Sequence, residues 1–225
     1  MKKDVVKLQK LWKNKYSKPI RHRISRLMYG RKFNAREIGG YLSPGEGAML
    51  YVWASKLPRN STIVEIGTLY GLSTCYLTAG AQKSDSKVYA IDPFASNLER
   101  QIKESDEEQN PYINRKQSKQ EVKRTLRKRG LTSFELIKGF SLDVARNGWQ
   151  RPIDFIFIDG NHQQVQEDYE SWRQFLSNGS RVAFHDSNPS FKIKEVSDFV
   201  KSIVEKEKIA YLEQVASITS FVLRK

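Results

Sequence analysis

The feature that most restricts the fold is a series of short apolar runs separated by stretches of helical character. Thr62–Ile66, Lys87–Ile91, Phe134–Ile137, Ile153–Ile158 and Arg181–Phe184 are rich in β-branched and aromatic residues and read as strands. Ala210–Glu213 and Ser217–Leu223 add two more. Helices fit after Gly71, at Glu121–Lys128, at Gln163–Leu176 and at Ile193–Glu205. Ahead of them Ser43, Pro44 and Glu46 spell a capping box with proline at the first helical position. Continuously apolar strands have no solvent face, so both sides of their sheet must be covered. Alternation with helices then predicts an α/β, Rossmann-like, doubly wound, mostly parallel sheet of seven strands. Only Gln214–Ala216 separate the last two strands, so these form an antiparallel C-terminal hairpin at one edge.

In such sheets ligands bind at the carboxyl ends of the strands. The first strand runs into IVEIGTLYGLST, where Glu65 precedes a turn bracketed by Gly67 and Gly71. The loop has neither the Gly-x-Gly-x-x-Gly pattern of dinucleotide sites nor the lysine of a triphosphate loop. A carboxylate there suits a ligand that carries positive charge. Asp92 ends the second strand, 25 residues after Gly67, where an acid can accept both hydroxyl hydrogens of a ribose. The fourth strand ends in DFIFIDGNH, with Asp159 and His162, and the fifth in RVAFHD, with His185 and Asp186. Taken singly, each of these acids reads as a turn or cap residue. Their placement on successive strand ends reads as one rim. Asp159, Asp186 and His185 are candidate ligands for one divalent cation, magnesium by the oxygen donors and manganese, iron or zinc by the imidazole. His162 is the candidate general base, because an imidazole with a near-neutral pKa can take a hydroxyl proton.

These motifs resemble those of class I S-adenosylmethionine-dependent methyltransferases, from about Ser43 to the end of the chain. The resemblance implies S-adenosylmethionine as cofactor. Glu65, Gly67, Thr68, Gly71 and Ser73 would lie around its methionine part, Asp92 at the ribose, Ser141 and Leu142 at the adenine, and Asp159 beside them. The Asp159-Gly160-x-His162 turn, Asp168 and the His185-Asp186 pair are similar to the branch holding sugar and macrolide O-methyltransferases and cephalosporin-hydroxylase-like proteins. That branch implies methyl transfer to a hydroxyl of a sugar or other small molecule. Its metal-dependent members carry an acid where this chain has His185, and in catechol-type enzymes an Asn stands where this chain has Ser187.

The charge lies mostly at one end. Residues 1–34 hold 12 Lys/Arg and one acid, whereas the other 191 hold 27 Lys/Arg and 24 acids, so the arm carries +11 of the net +14. Two units are expected, an arm over 1–34 and the methyltransferase domain over 35–225. In the arm Val5, Leu8, Trp12 and Tyr16 repeat at helical spacing, and Ile20, Ile24, Leu27 and Met28 continue the apolar theme. This apolar face can pack on the domain or on a second subunit, giving a homo-oligomer. It can also rest on an anionic membrane surface or an anionic glycan. A nucleic-acid methyltransferase is the competing enzyme class, against which stands the absence of an Asp/Asn-Pro-Pro-aromatic turn after the fourth strand. A membrane-anchored protein that binds the cofactor without turnover is the competing non-enzyme class. Leu98–Gly130, half of it charged, reads as a surface helix and an insertion beside the mouth of the sheet. One cysteine, no transmembrane run and no signal-peptide core lead to the expectation of a cytoplasmic protein, peripheral at the inner membrane surface where the arm docks.

Overall fold

The computed structural model describes residues 23–24, 26–28, 30, 33–94, 118–191 and 193–224. The expectations placed on Val5, Leu8, Trp12, Tyr16 and Ile20, and on 98–117, lie outside them. The elements are α1 (Pro44–Ser55), β1 (Thr62–Ile66), α2 (Leu72–Ala81), β2 (Lys87–Asp92), α3 (Lys119–Lys128), β3 (Phe134–Lys138), α4 (Ser141–Asn147), β4 (Ile153–Ile158), α5 (Val165–Arg173), β5 (Leu176–Phe184), α6 (Lys194–Lys206), β6 (Ile209–Val215) and β7 (Ile218–Leu223). All seven strands join one sheet in the order β3-β2-β1-β4-β5-β7-β6. The first five are parallel, and β7 runs antiparallel to both β5 and β6.

Successive side chains of a strand point to opposite faces, and here each face meets its own helical layer. Phe155 and Phe157 of β4 enter a cluster with Met49 and Trp53 of α1 and Cys75 and Leu77 of α2. Ile156 and Ile158 enter a second cluster with Tyr169 and Trp172 of α5 and Val196 and Val200 of α6. Burial on both faces is why the central strands β1, β2 and β4 lack a polar alternation. Each fully buried large side chain contributes about 1.5–3 kcal/mol relative to exposure. Ile24 and Met28, at the end of the arm, pack in the first cluster, and Met28 is fully buried.

One local expectation is corrected, and one helix is added. Leu176 was expected as the end of a helix, but α5 stops at Arg173 and Leu176 opens β5. The intervening Ser-Asn-Gly-Ser reads as a turn, and Gly179 has φ 89. It nevertheless stays in the strand, as an irregularity between the Ile153–Leu176 and Phe155–Arg181 pairings. Ser141–Asn147, where the sequence reading placed no helix, is the short helix α4, too brief to show a periodic pattern. Among the described residues no helix is long and apolar enough to cross a membrane.

Candidate active site

The rim is stitched by backbone hydrogen bonds that carry the sheet one residue past its strands. Gly67 N–H donates to Ile91 O (2.9 Å), Asp159 N–H to Ile66 O (2.8 Å), and His185 N–H to Ile158 O (3.1 Å). Asp159 therefore sits beside the glycine loop on one side and His185 on the other. Gly67 has φ 87, and a Cβ there would lie 2.0 Å from Asp159 O. Only glycine permits this approach.

His185 is 6% exposed and stands in the middle of the acids. Its Nδ1 is 3.1 Å from Asp159 Oδ1 and 3.0 Å from Asp186 Oδ2, and its Nε2 is 3.9 Å from Glu46 Oε2. Glu46 Oε2 is too far for a hydrogen bond and the two aspartate oxygens do not meet its geometry, so neither ring nitrogen has a hydrogen-bond partner. Burial alone would disfavour a charged imidazole, but the carboxylates of Asp159, Asp186 and Glu46 outweigh it and push the pKa of His185 far upward. One ligand atom each of Asp159, His185 and Asp186 falls within 4.8 Å of the others.

Asp186 adopts φ 51, a left-handed conformation that aspartate tolerates better than most residues. The turn is fixed from below. Ser187 donates its N–H and Oγ–H to Ser217 O, and Thr219 N–H donates to Ser187 Oγ. Ser187 is thus engaged in holding the turn. Asp186 Oδ2 also meets His162 Nε2 at 3.2 Å. That hydrogen bond, stronger than the opposing effect of burial, raises the pKa of His162. The His162 side chain, 41% exposed, is the open member of the cluster.

The glycine loop holds a second group of buried polar atoms. Glu65 is fully buried, and its Oε2 accepts from Thr74 Oγ1 at 2.6 Å. Its Oε1 and the hydroxyl of Thr68 have no hydrogen-bond partner. Burial lifts the Glu65 pKa to about 8 against the opposing hydroxyls of Ser73 and Thr74. Asp92 is occupied: Oδ2 accepts from the N–H groups of Thr68 (2.9 Å) and Leu69 (3.0 Å), and Oδ1 from Phe94 N–H (2.6 Å). It shapes the loop, and most of its acceptor capacity is used before any ribose arrives. Ser141, at the start of α4, donates to Asp168 and accepts from Trp172 Nε1 at 3.1 Å. Asp168 is buried, which lifts its pKa to about 6 although Ser141 opposes the shift. Leu142 follows, half-buried.

Glu46 is the residue of this site that the sequence did not reveal. Its capping box with Ser43 is present, Ser43 N–H donating to Oε2 at 2.8 Å. Its other oxygen accepts from Ser217 N–H at 2.7 Å and from the Ser217 hydroxyl. Burial opposes ionisation, yet His185, Ser217 and Ser43 bring the Glu46 pKa down to about 2. A capping glutamate already has a local explanation, so nothing in the sequence marks it for a second one. Two hollows border the site. One of about 10 Å³ touches Asp159, His162 and His185, and one of about 250 Å³ lies between Ile38, Tyr70 and α3, next to the glycine loop.

Residues 64–187 match the family model described as methyltransferase domain, which is 124 of 225 residues and more than half of the chain. Three solved structures are similar in shape. An O-methyltransferase from Bacillus cereus in complex with S-adenosylhomocysteine is 17% identical, with 93% of each chain covered and a TM-score of 0.59. TomG from Streptomyces achromogenes, an O-methyltransferase of tomaymycin synthesis in complex with S-adenosylmethionine, is 16% identical, with 93% of this chain and 92% of that one covered and a TM-score of 0.58. An S-adenosylhomocysteine-bound methyltransferase from Podospora anserina is 14% identical, with 93% and 97% covered and a TM-score of 0.62. Identities this low establish the common fold, a Rossmann-like sheet with a C-terminal hairpin. The family match over β1 to β5 goes further: the chain belongs to the methyltransferase domain family.

Proposed function

We propose that the chain is an S-adenosylmethionine-dependent O-methyltransferase that acts on a hydroxyl of a sugar or another small molecule with help from a divalent cation. The observation that carries this reading is the cluster of Asp159, His185, Asp186 and His162 on adjoining strand ends, one residue from the glycine loop. Two features support the cofactor. Glu65 Oε1 is a buried acceptor without a partner, which a cationic amino group would satisfy. The loop also lacks any lysine or arginine that would repel a sulfonium. Gly67, Thr68, Gly71 and Ser73 would line the methionine part, Asp92 the ribose, and Ser141 and Leu142 the adenine.

Charge and spacing support the cation. Three carboxylates, Glu46 buried and Asp159 and Asp186 partly buried, surround one imidazole, and negative charge gathered in such a site is costly unless a cation offsets it. Donor atoms 3.0–3.1 Å apart are spaced like neighbouring ligands of an octahedral ion with arms of about 2.1 Å, whose edges are about 3.0 Å. Asp159, Asp186 and His185 would hold the ion, which when bound supplies polarisation of the acceptor hydroxyl. His162 takes that hydroxyl's proton as the O–CH3 bond forms and the S–CH3 bond breaks, the sulfur keeping the electron pair. Asp186 orients His162: with Nε2–H directed at Asp186 Oδ2, Nδ1 is left as the accepting atom.

One observation favours a second reading. The same carboxylates can hold His185 as an imidazolium, which would itself fill the cation's place. The two readings part in one experiment. Calorimetry with S-adenosylmethionine, followed by turnover assays with magnesium, manganese or EDTA, should show cofactor binding and EDTA-sensitive activity. Absence of cofactor binding defeats the proposal, and activity indifferent to EDTA leaves the imidazolium reading. The arm over 1–34 serves in this proposal as a contact for an anionic membrane surface or glycan through its basic residues, while Ile24 and Met28 at its end pack on the catalytic domain of 35–225.

A further inference from the structure

Asp168 stands where α5 calls for an apolar residue. Val165, Asp168, Tyr169 and Trp172 form the buried stripe of that helix, at spacings of three and four. An acid in a first turn ordinarily serves the free N–H groups from the solvent side, and the exposed Glu167 is already placed for that. Asp168 is buried instead. Among the described residues no cation pairs with it, and the charge of Glu167 opposes its ionisation. What it meets is the Ser141 hydroxyl, which donates to Oδ1. The same hydroxyl accepts from Trp172 Nε1 at 3.1 Å, one turn further along α5. Both the proton and a lone pair of Ser141 are therefore held by α5. Trp172 is fixed in turn by Trp149, whose ring lies 5.2 Å away. On its other side, Asp168 Oδ2 lies 3.4 Å from where a Cβ on Gly160 would stand. One side chain thus spans the loops that follow β3 and β4, the two loops assigned above to the adenine end of the cofactor.

We propose that Asp168 is a positioning residue for the adenine end of S-adenosylmethionine: acting through the Ser141 hydroxyl, it holds the loop after β3 at a fixed distance from the Asp159–Gly160 turn. This rests on the cofactor reading given above. The Ser141 hydroxyl is engaged by α5, so Ser141 serves the cofactor by where it stands and not by donating its own proton. An apolar side chain at position 168 would complete the stripe of α5 and avoid the burial of a carboxyl. A polar group set into such a stripe is costly to the fold, and local departures of this kind gather at functional sites.

Calorimetry with S-adenosylhomocysteine on the full chain tests it. Asp168→Leu keeps the stripe filled but removes the acceptor, and should bind about 10-fold more weakly. Asp168→Asn keeps an acceptor for Ser141 and should bind like wild type. Ser141→Ala removes the same hydrogen bond from the other end. It should weaken binding by a similar factor, and the double variant with Asp168→Leu should be no weaker than either single one. Combined with Glu65→Gln, at the methionine end, the loss should multiply instead. Wild-type affinity in Asp168→Leu overturns the proposal, as does a loss in Asp168→Asn equal to that in Asp168→Leu. Losses that multiply with Ser141→Ala overturn it too, and coupling to Glu65→Gln as strong as to Ser141→Ala marks a general loosening of the fold and does the same. A wild type that does not bind S-adenosylhomocysteine removes the cofactor reading itself, which is a separate result. Should Asp168→Leu fail to fold, Ser141→Ala decides, and wild-type affinity in that variant overturns the proposal.

Discussion

His162 and Glu65 have opposite exposures and opposite expected responses. His162 is partly open and hydrogen-bonded to Asp186, so His162→Ala should bind S-adenosylmethionine normally and lose about 10²–10⁴-fold in turnover. A variant with full activity would remove it as the base. Glu65, with a pKa of about 8, carries a proton at pH 7 in the cofactor-free protein. Pairing with an amino group should expel it, so binding at pH 7 releases on the order of one proton. Calorimetry in buffers of different ionisation heat measures this, and Glu65→Gln should release none. Asp168 makes a separate prediction. Its pKa rises from 3.8 unfolded to about 6 folded, so the native state holds a proton in that window that the unfolded chain has lost. Stability therefore declines as pH rises from about 4 through 6, by up to about 3 kcal/mol from this group. Asp168→Asn lacks that slope, so its stability relative to wild type should grow from pH 4 to pH 7 in urea unfolding. A difference that does not change with pH would refute the assignment.

Among the elements, the β1–α2 loop tolerates least. Gly67→Ala combines φ 87 with a Cβ placed 2.0 Å from Asp159 O, so either the loop or the Asp159 turn must move. A loss of more than about 2 kcal/mol, together with loss of cofactor binding, is expected in denaturant melts. Ser43→Ala removes one hydroxyl from the cap of α1 and should cost about 1 kcal/mol while leaving the carboxylate of Glu46 in place. These elements also mark the limit of sequence reading. The strands were legible because burial on both faces leaves an unbroken apolar run. β5 was only half legible because Ser177–Ser180 carry turn chemistry inside a strand, held there by pairing with β4. α4 was not legible because seven residues give less than two full turns of pattern.

For the whole molecule, the basic arm and the rim of strand ends are distinct in charge. Removing residues 1–22 takes away eight Lys/Arg and Asp4, a net +7, while keeping Ile24 and Met28, which pack in the core. The shortened protein should fold with unchanged cofactor affinity and lose salt-sensitive co-sedimentation with vesicles of anionic phospholipid. Retained binding would place that contact elsewhere.

The sequence by itself determined a mostly parallel sheet and the carboxyl ends of its strands, because these follow from local periodicity and from where apolar runs stop. It also placed Asp159, His162, His185 and Asp186 on one rim, since neighbouring parallel strands end at the same edge. Tertiary structure alone decided what each of them faces. His185, which departs from the acid of the metal-dependent branch, is the buried centre of the cluster. Asp186 is shared between two imidazoles. Asp92 is largely consumed by its own loop. Glu46, 139 positions before His185, becomes its neighbour. These relations join residues far apart in sequence through side-chain direction and burial, and neither is encoded in spacing along the chain.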